Sequence, residues 1–381
     1  FGNNTNIKTT GASNNGSFST TFTIDTQAYG QTTAVAIGNT SGRQVERVYQ
    51  IQPNIISIVP TQGSVGTFVT VRGNGFGSGK DVWVKFGWNA SITTTPAEGN
   101  GSFTAVFTVD TQPCGTTTII GYDNTTNAQG TFTILPNFYQ YTPKSGTVGT
   151  SVIVNGNGFG QDELIQITFG NKVVMATATT DLRGWFNSGF VVDLQPYGTK
   201  TVKATGINSG RIFEDIFDVT SVITSMTPTI GSVTTQVTIS GNGFGANENI
   251  RLDFGLTTGI QNVLADETGS WTTTFTINTQ MYGTKSVRAV GASSNRTDYR
   301  DLKLVARLWQ VSPTTGTIGT RITIWGDGYS NQETIFFKLG ILGTISTYPS
   351  LIQASSAGTY SAIFIINTQV SGTCSIECTG F

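Results

Sequence analysis

The feature that most constrains this 381-residue chain is its self-similarity. Pro60, Pro143, Pro228 and Pro313 are each followed by nearly the same text: PTQGSVGT, PKSGTVGT, PTIGSVTT and PTTGTIGT. A β-type stretch and a glycine-rich turn come next, as TVRGNGFG, IVNGNGFG, TISGNGFG and TIWGDGYS. The second half of the period repeats too: FTIDTQAYG, FTVDTQPCG, VVDLQPYG, FTINTQMYG and FIINTQVSG. A fixed period of about 85 residues means a tandem array in which each period is one structural unit. The second motif has one more copy than the first, so the boundaries fall at 1–52 (a partial repeat, C-terminal part only), 53–135, 136–220, 221–305 and 306–381. The last repeat lacks its final strand.

Each period reads as all-β. Apolar residues alternate at Val69/Val71, Val152/Val154, Val237/Ile239 and Ile322/Ile324, with the residues between them facing the other way. Glycine and asparagine clusters punctuate short runs rich in Thr and Val. In the second full repeat the pattern predicts strands at 137–142, 150–155, 163–169, 171–178, 185–192, 199–206 and 211–219. Seven short strands in about 85 residues predict an immunoglobulin-like β-sandwich. The fold class is therefore a tandem array of seven-stranded Ig-like sandwiches.

Charge and composition narrow the chemistry. Charged residues are 11% of the chain, the net charge is −1, and there is no histidine. That excludes His-based catalysis and His metal ligands, and argues against an electrostatic nucleic-acid binder. No run of eighteen apolar residues would span a membrane as a helix. The GNGFG turns lack the spacing and following helix of a phosphate loop. They read as tight turns whose Phe76, Phe159, Phe244 or Tyr329 plugs the end of a sandwich. Asp25, Asp110, Asp193, Asn278 and Asn367 each stand two before a glutamine. They read as caps for backbone N–H groups of the turn between strands five and six, with weak calcium binding as the alternative. Tyr29, Tyr197 and Tyr282 lie where a tyrosine corner would tie that turn down. Asp162/Glu163 and Asp266/Glu267 are acid pairs in loops of different repeats. No cofactor is expected, and the chain is read as not an enzyme.

Cys374 and Cys378 lie four apart on one strand, about 13 Å, too far for a disulfide. Together with Cys114 they are thiols that are free or bonded outside this fold. Asn-x-Ser/Thr sequons occur at Asn3, Asn15, Asn39, Asn89, Asn100, Asn124 and Asn295, so glycans are expected partners, with Asn15 and Asn100 in the same hairpin turn of successive repeats.

The text from Ile56 to Phe76, with Pro60, Gly63, Gly66, Val69, Val71, Gly73 and Gly75, resembles the IPT/TIG-like Ig repeats. So do the following VWVKFG and the Asp266–Trp271 hairpin. The likeness runs through the whole chain and departs most at Trp325–Tyr329. It resembles the versions found in tandem on archaeal and bacterial surface proteins, and implies an extracellular structural subunit of a filament, sheath or S-layer. A cell-surface adhesin or carbohydrate-binding stalk is the alternative. The near absence of linkers predicts a stiff rod.

Two further expectations concern self-association. The last repeat carries an apolar insertion with Ile341, Leu342, Ile345, Tyr348, Leu351 and Ile352, more than one sandwich already filled by Ile322, Ile324 and Phe336 can bury. Part of this patch is expected to meet a neighbouring subunit, with a longer hairpin that folds over its own repeat as the alternative. Residues 1–52 and 306–381 are incomplete sandwiches, the first with about four strands. They are expected to be completed by continuation of the chain or by strands donated from other copies.

Overall fold

A computed structural model describes residues 1–340, 345–368 and 370–381. The chain forms two compact units. One comprises Phe1–Thr142, Val152–Phe190 and Thr201–Asp215; the other comprises Pro143–Ser151, Val191–Lys200 and Ile216–Phe381. Among the described residues all regular structure is β, and no helix is long and apolar enough to cross a membrane.

In the first unit the partial repeat contributes β1 (Gly30–Ile37) and β2 (Gln44–Ile51), paired antiparallel from Gly30↔Ile51 to Ile37↔Gln44. The first full repeat follows with β3 (Asn54–Val59), β4 (Gln62–Gly63), β5 (Phe68–Asn74), β6 (Asp81–Phe86), β7 (Asn89–Pro96), β8 (Phe103–Thr108), β9 (Gly115–Tyr122) and β10 (Asn127–Ile134). One sheet has the order β3-β5-β8 and the other β4-β10-β9-β6-β7. This is an Ig-like sandwich. Alternation decides which face of each strand is buried. Val69 and Val71 on β5 and Val82, Val84 and Phe86 on β6 are fully buried, whereas Phe68 and Arg72 face solvent. Phe86 packs against Phe107 and Phe132, with ring centroids 5.1 and 5.8 Å away, and fixes the centre of the core.

The repeat 136–220 is shared between the two compact units. Its strands Asn137–Thr142, Ser151–Asn157, Leu164–Phe169, Lys172–Thr179, Phe186–Val191, Gly198–Gly206 and Ile212–Val219 lie within two residues of the sequence expectation. Sequence reading missed an eighth, two-residue strand, Ser145–Gly146, the counterpart of β4. In the first full repeat β4 runs parallel to β10, pairing Gln62 with Thr133 and Gly63 with Ile134. The first strand thus passes from one sheet to the other at Pro60, where the missing N–H cannot serve either ladder. Two residues bounded by glycine and proline carry no periodicity to detect.

In the second unit the repeat 221–305 has the same two sheets, formed by Val222–Thr227, Gln236–Asn242 and Trp271–Thr276, and by Ile230–Gly231, Thr297–Leu304, Gly283–Gly291, Asn249–Phe254 and Thr257–Leu264. Its core joins Val237, Ile239, Leu252, Phe254, Phe275 and Leu302.

The two ends depart from the expectation. Residues 1–29 form no strand, so the partial repeat has two strands rather than about four. The stretch equivalent to β8 is not a strand, and Phe18, Phe22 and Ile24 are exposed where Phe103, Phe107 and Val109 are buried. Among the described residues of the last repeat, one sheet holds Arg307–Ser312, Arg321–Asp327, Tyr360–Ile365 and Thr347–Tyr348, and the other holds Ile335–Leu339 and Ile376–Gly380. Its core side chain is Phe337, between Ile335 and Leu339. Phe336, expected inside, is on the outer face.

Phe254→Ala removes the ring at the centre of one core. It is expected to cost the repeat 221–305 about 3–5 kcal/mol, read as an earlier unfolding transition in urea followed by circular dichroism.

Candidate functional site: the contacts between successive repeats

The repeated motifs converge on one place, the end of each sandwich that meets the preceding repeat. In GNGFG the first glycine lies under the aromatic ring of the facing strand. A Cβ at Gly241 would come 2.8 Å from the Trp271 ring. The second glycine abuts the linker, and a Cβ at Gly75 would stand 3.1 Å from Pro53 Cα. The aromatic residue then turns its side chain into its own core, as expected: Phe76, Phe159 and Phe244 are fully buried and Tyr329 is nearly so.

What the sequence did not disclose is the use of that residue's backbone. Phe76 N–H donates to Gly101 O at 3.0 Å, closing the glycine turn onto the 98–102 hairpin. The Phe76 carbonyl then accepts Tyr29 N–H of the preceding repeat at 2.9 Å. The same pair of bonds recurs three times. Cys114 N–H reaches Phe159 O at 2.8 Å, Tyr197 N–H reaches Phe244 O at 3.0 Å, and Tyr282 N–H reaches Tyr329 O at 3.1 Å. Gly184, Gly269 and Gly358 carbonyls close the corresponding turns. These hairpin glycines have φ between +72° and +79°. A Cβ on them would stand 2.7–3.1 Å from the Cα of Ala28, Pro113, Pro196 or Met281 in the preceding repeat. Only glycine allows both the conformation and the approach.

The D-x-Q motif shapes the donor side of this contact. Gln112 is buried; its Nε2 donates to Phe86 O at 2.9 Å and to Asp110 Oδ1 at 2.6 Å, and its Oε1 accepts Trp88 N–H at 3.1 Å. Gln280 makes the same three bonds with Phe254, Asn278 and Leu256. This corrects the capping role expected for Asp25, Asp110, Asp193 and Asn278: they orient the glutamine amide. An asparagine serves as well as an aspartate because only an acceptor is required. The tyrosine-corner reading is also corrected. Tyr282 is exposed and Tyr197 half-buried under the Arg296 guanidinium, 5.1 Å from the ring centroid. The backbone N–H of these residues, not the phenol, makes the tie.

A buried acid holds the acceptor side. Glu248 accepts N–H bonds from Gly245, from Ser293 at 3.1 Å and from Ser294 at 2.9 Å, plus both serine hydroxyls. Glu163 likewise accepts the N–H groups of Gly160, Asn208 and Ser209, and the Ser209 hydroxyl. In the first full repeat Lys80 stands at the glutamate position, and Asp123 reaches from the opposite loop to Gly77 N–H at 3.0 Å. Burial works to raise the Glu248 pKa, but hydrogen bonds from Ser294, Gly245 and Ser293 outweigh it and hold the carboxyl below its ordinary value. Asp123 is lowered in the same way, against burial, by Gly77, Thr125 and Thr126. The last junction adds Arg307, which chelates Asp327 and reaches Thr234 Oγ1 at 2.7 Å.

The remaining expected residues fall elsewhere. Asn3, Asn15, Asn39, Asn100, Asn124 and Asn295 are exposed, while Asn89 is half-buried with Nδ2 donating to Asp110 at 3.1 Å. Asn15 and Asn100 occupy equivalent turns, Asn100 beside the junction glycine Gly101. In the insertion, Ile341 and Leu342 lie outside the described residues. Ile352 is buried in the core of its own repeat and Ile345 packs against that core, which removes both as assembly contacts. Tyr348 and Leu351 remain exposed. Cys114, Cys374 and Cys378 are free and half-buried. Among the described residues no three or more Cys, Asp or Glu side chains are grouped to hold a metal ion.

No protein-family model matches the sequence, and no curated protein matches it. Solved structures similar to it include an eight-Ig-domain fragment of Down Syndrome Cell Adhesion Molecule, 12% identical over 94% of this chain and 59% of that one, with TM-score 0.20. This chain therefore spans less than two thirds of that fragment. Invasin, described as a bacterial integrin-binding protein, is 12% identical over 82% of this chain and 73% of its own, with TM-score 0.21. A Ca2+-stabilized adhesin with which an Antarctic bacterium binds ice is 13% identical over 86% and 97%, with TM-score 0.18. The likeness is one of fold.

Two outcomes follow from the junction geometry. Gly269→Ala forces an L-residue to φ +74° against Phe244 O and Pro196. It should cost about 1–2 kcal/mol and lower hydrogen-exchange protection of the Tyr197 amide more than that of core amides in the same repeat. The lowered Glu248 and Asp123 carboxyls stabilise the fold above the ordinary carboxylate range, near pH 4. That contribution is lost as pH falls through their lower folded values. Glu248→Gln should therefore flatten the fall of urea midpoint with pH between about 4 and 2, relative to the parent chain.

Proposed function

We propose that the chain is a structural subunit of an extracellular surface assembly, a filament, sheath or S-layer, built from head-to-tail Ig-like repeats of the IPT/TIG type. The observation that carries this reading is the junction itself. Four successive contacts use the same backbone donor, the same carbonyl and the same hairpin glycine. The part of the period that varies least is thus spent on holding repeats to one another. In this reading the chain performs no catalytic step and needs no cofactor; its work is mechanical continuity. The low charge and the exposed sequons suit an exterior that carries glycans.

A second reading, an adhesin or carbohydrate-binding stalk, has one feature in its favour. Exposed Trp309 lies against Trp325 at 6.1 Å on an outer sheet face, and Tyr139 against Trp185 at 6.5 Å on the equivalent face two repeats earlier. Aromatic faces of this kind stack on sugar rings.

Immunogold labelling of intact cells, with negative-stain imaging of the labelled structures, separates the two. Labels repeating at regular spacing along one ordered structure are expected. Labels scattered singly over the envelope would favour the adhesin, and labels confined to the cell interior would end both readings.

A further inference from the structure

The sheet that carries the first strand of each repeat changes the chemistry of its outer face from repeat to repeat. A β-bulge in that strand turns two neighbouring side chains outwards. The first of them is Ile56, Tyr139, Thr224 or Trp309, and it is exposed in all four repeats. Three of these repeats are followed by another, so the exposure belongs to the sheet and not to its place in the chain. The second side chain stands opposite Arg72, Asn155, Ser240 or Trp325 on the next strand. In the repeats 136–220 and 221–305 these facing polar groups hold each other. Asn155 Nδ2 donates to Gln140 Oε1 at 2.8 Å, and the Ser225 and Ser240 hydroxyls bond at 2.6 Å. In the last repeat Gln310 instead faces the Trp325 indole, and its side-chain amide has no hydrogen-bond partner among the described residues.

We infer that the outer face around Trp309 and Trp325 binds a neutral oligosaccharide chain. The two indoles lie 6.1 Å apart, and Trp309 is half exposed. The repeat 221–305 builds the equivalent strand pair with Thr224 and Ser240 at these places, so the rings are not needed to hold the strands together. The face extends beyond them. Trp325 stands opposite Ser361, and Ile363, two residues on, stands opposite the exposed Tyr348 of the edge strand. Neighbouring strands lie about 4.8 Å apart, so four strands make a platform about 14 Å wide. That is longer than one sugar ring. A pyranose has an apolar C–H face, which lies on an indole, and a rim of hydroxyls. The Gln310 amide, both donor and acceptor, and the Ser361 hydroxyl stand beside the rings to meet that rim. The ring planes are tilted by 38°, which suits a single twisted chain better than a flat crystalline surface.

Charge selects a neutral sugar over an acidic one. Arg307, on the strand of Trp309, is committed to Asp327. Arg321, on the strand of Trp325, lies four residues from it, about 13 Å along the strand. The strand Tyr360–Ile365 has no charged residue. A carboxylate or sulfate on the sugar would therefore lose its water without gaining a cation beside the rings. The site deepens the second reading given above and rests on it for its biological purpose, but its test uses the purified chain. Cell imaging and sugar binding can therefore fail independently.

The experiment is affinity electrophoresis of the full chain in native gels that contain hydroxyethylcellulose, xylan or glucomannan, with polygalacturonate as the acidic comparison. At least one neutral polysaccharide should retard the parent. Trp309→Thr combined with Trp325→Ser installs the residues of the repeat 221–305 and should weaken that binding at least about tenfold. Gln310→Ala, at an exposed position where folding is not at stake, should weaken it as well. Trp309→Tyr, the residue of the repeat 136–220 at this place, should keep it. Trp83→Thr should keep it too, since Trp83 stacks on Tyr122 at 5.8 Å on the other sheet. Each variant is first checked for the parent's circular dichroism spectrum. If no neutral polysaccharide retards the parent, or only polygalacturonate does, the inference is wrong. Retardation undiminished in both the double variant and Gln310→Ala, or lost in Trp83→Thr, places the contact elsewhere and equally overturns it.

Discussion

The architecture depends on one peptide group used in two directions. In each repeat the aromatic residue of the glycine turn gives its N–H to the hairpin glycine and its carbonyl to the preceding repeat. Its ring meanwhile sits in the sandwich core. Core packing, turn closure and the inter-repeat contact are therefore set by the position of a single residue. A hydrogen bond of this type contributes only about 1 kcal/mol net. Its importance is geometric: burying the ring fixes the carbonyl, so the junction inherits the rigidity of the core.

The three parts of the contact lie far apart in sequence. In the first full repeat the acceptor corner combines residues near 73–77 with the 98–102 hairpin, and the donor comes from residues 28–30 of the period before. Their spacing is locked by two sheets of fixed strand length, which explains why the period is so regular. The insertion before Ile352 in the last repeat lies between these points in sequence, and its Ile345 and Ile352 pack at the core of their own repeat. It leaves the Tyr282–Tyr329–Gly358 chain of bonds intact.

Much of this was legible in the sequence because it rests on patterns with a period. Alternation of Val and Ile located seven strands per repeat, and the repeats located the array. The signals that failed were those without side chains. The two-residue β4 has no alternation to show, and a donor N–H looks the same in Tyr29 and Cys114. Reading Asp110 as a backbone cap erred because the sequence gives a residue's neighbours along the chain. The residue that matters, Gln112, reaches across to the Phe86 carbonyl. Phe336 and Phe337 show the limit of alternation when two aromatics are adjacent: each fits the core, and only the register of the strand decides between them.

Substitution across the repeats separates what must be kept from what is free. Tyrosine gives way to cysteine at the donor without loss of the bond, because the bond is made by the backbone. Aspartate gives way to asparagine beside the glutamine, because an acceptor suffices. The buried carboxylate behaves differently. Where Lys80 replaces the glutamate, an acid returns from the opposite loop as Asp123 and again collects the N–H of the glycine after the aromatic residue. A charge that moves between two loops yet keeps the same partner is tied to that partner, not to its own position. The glycine turn must present its N–H groups to a strong acceptor on one side so that its carbonyl stays aimed at the preceding repeat on the other.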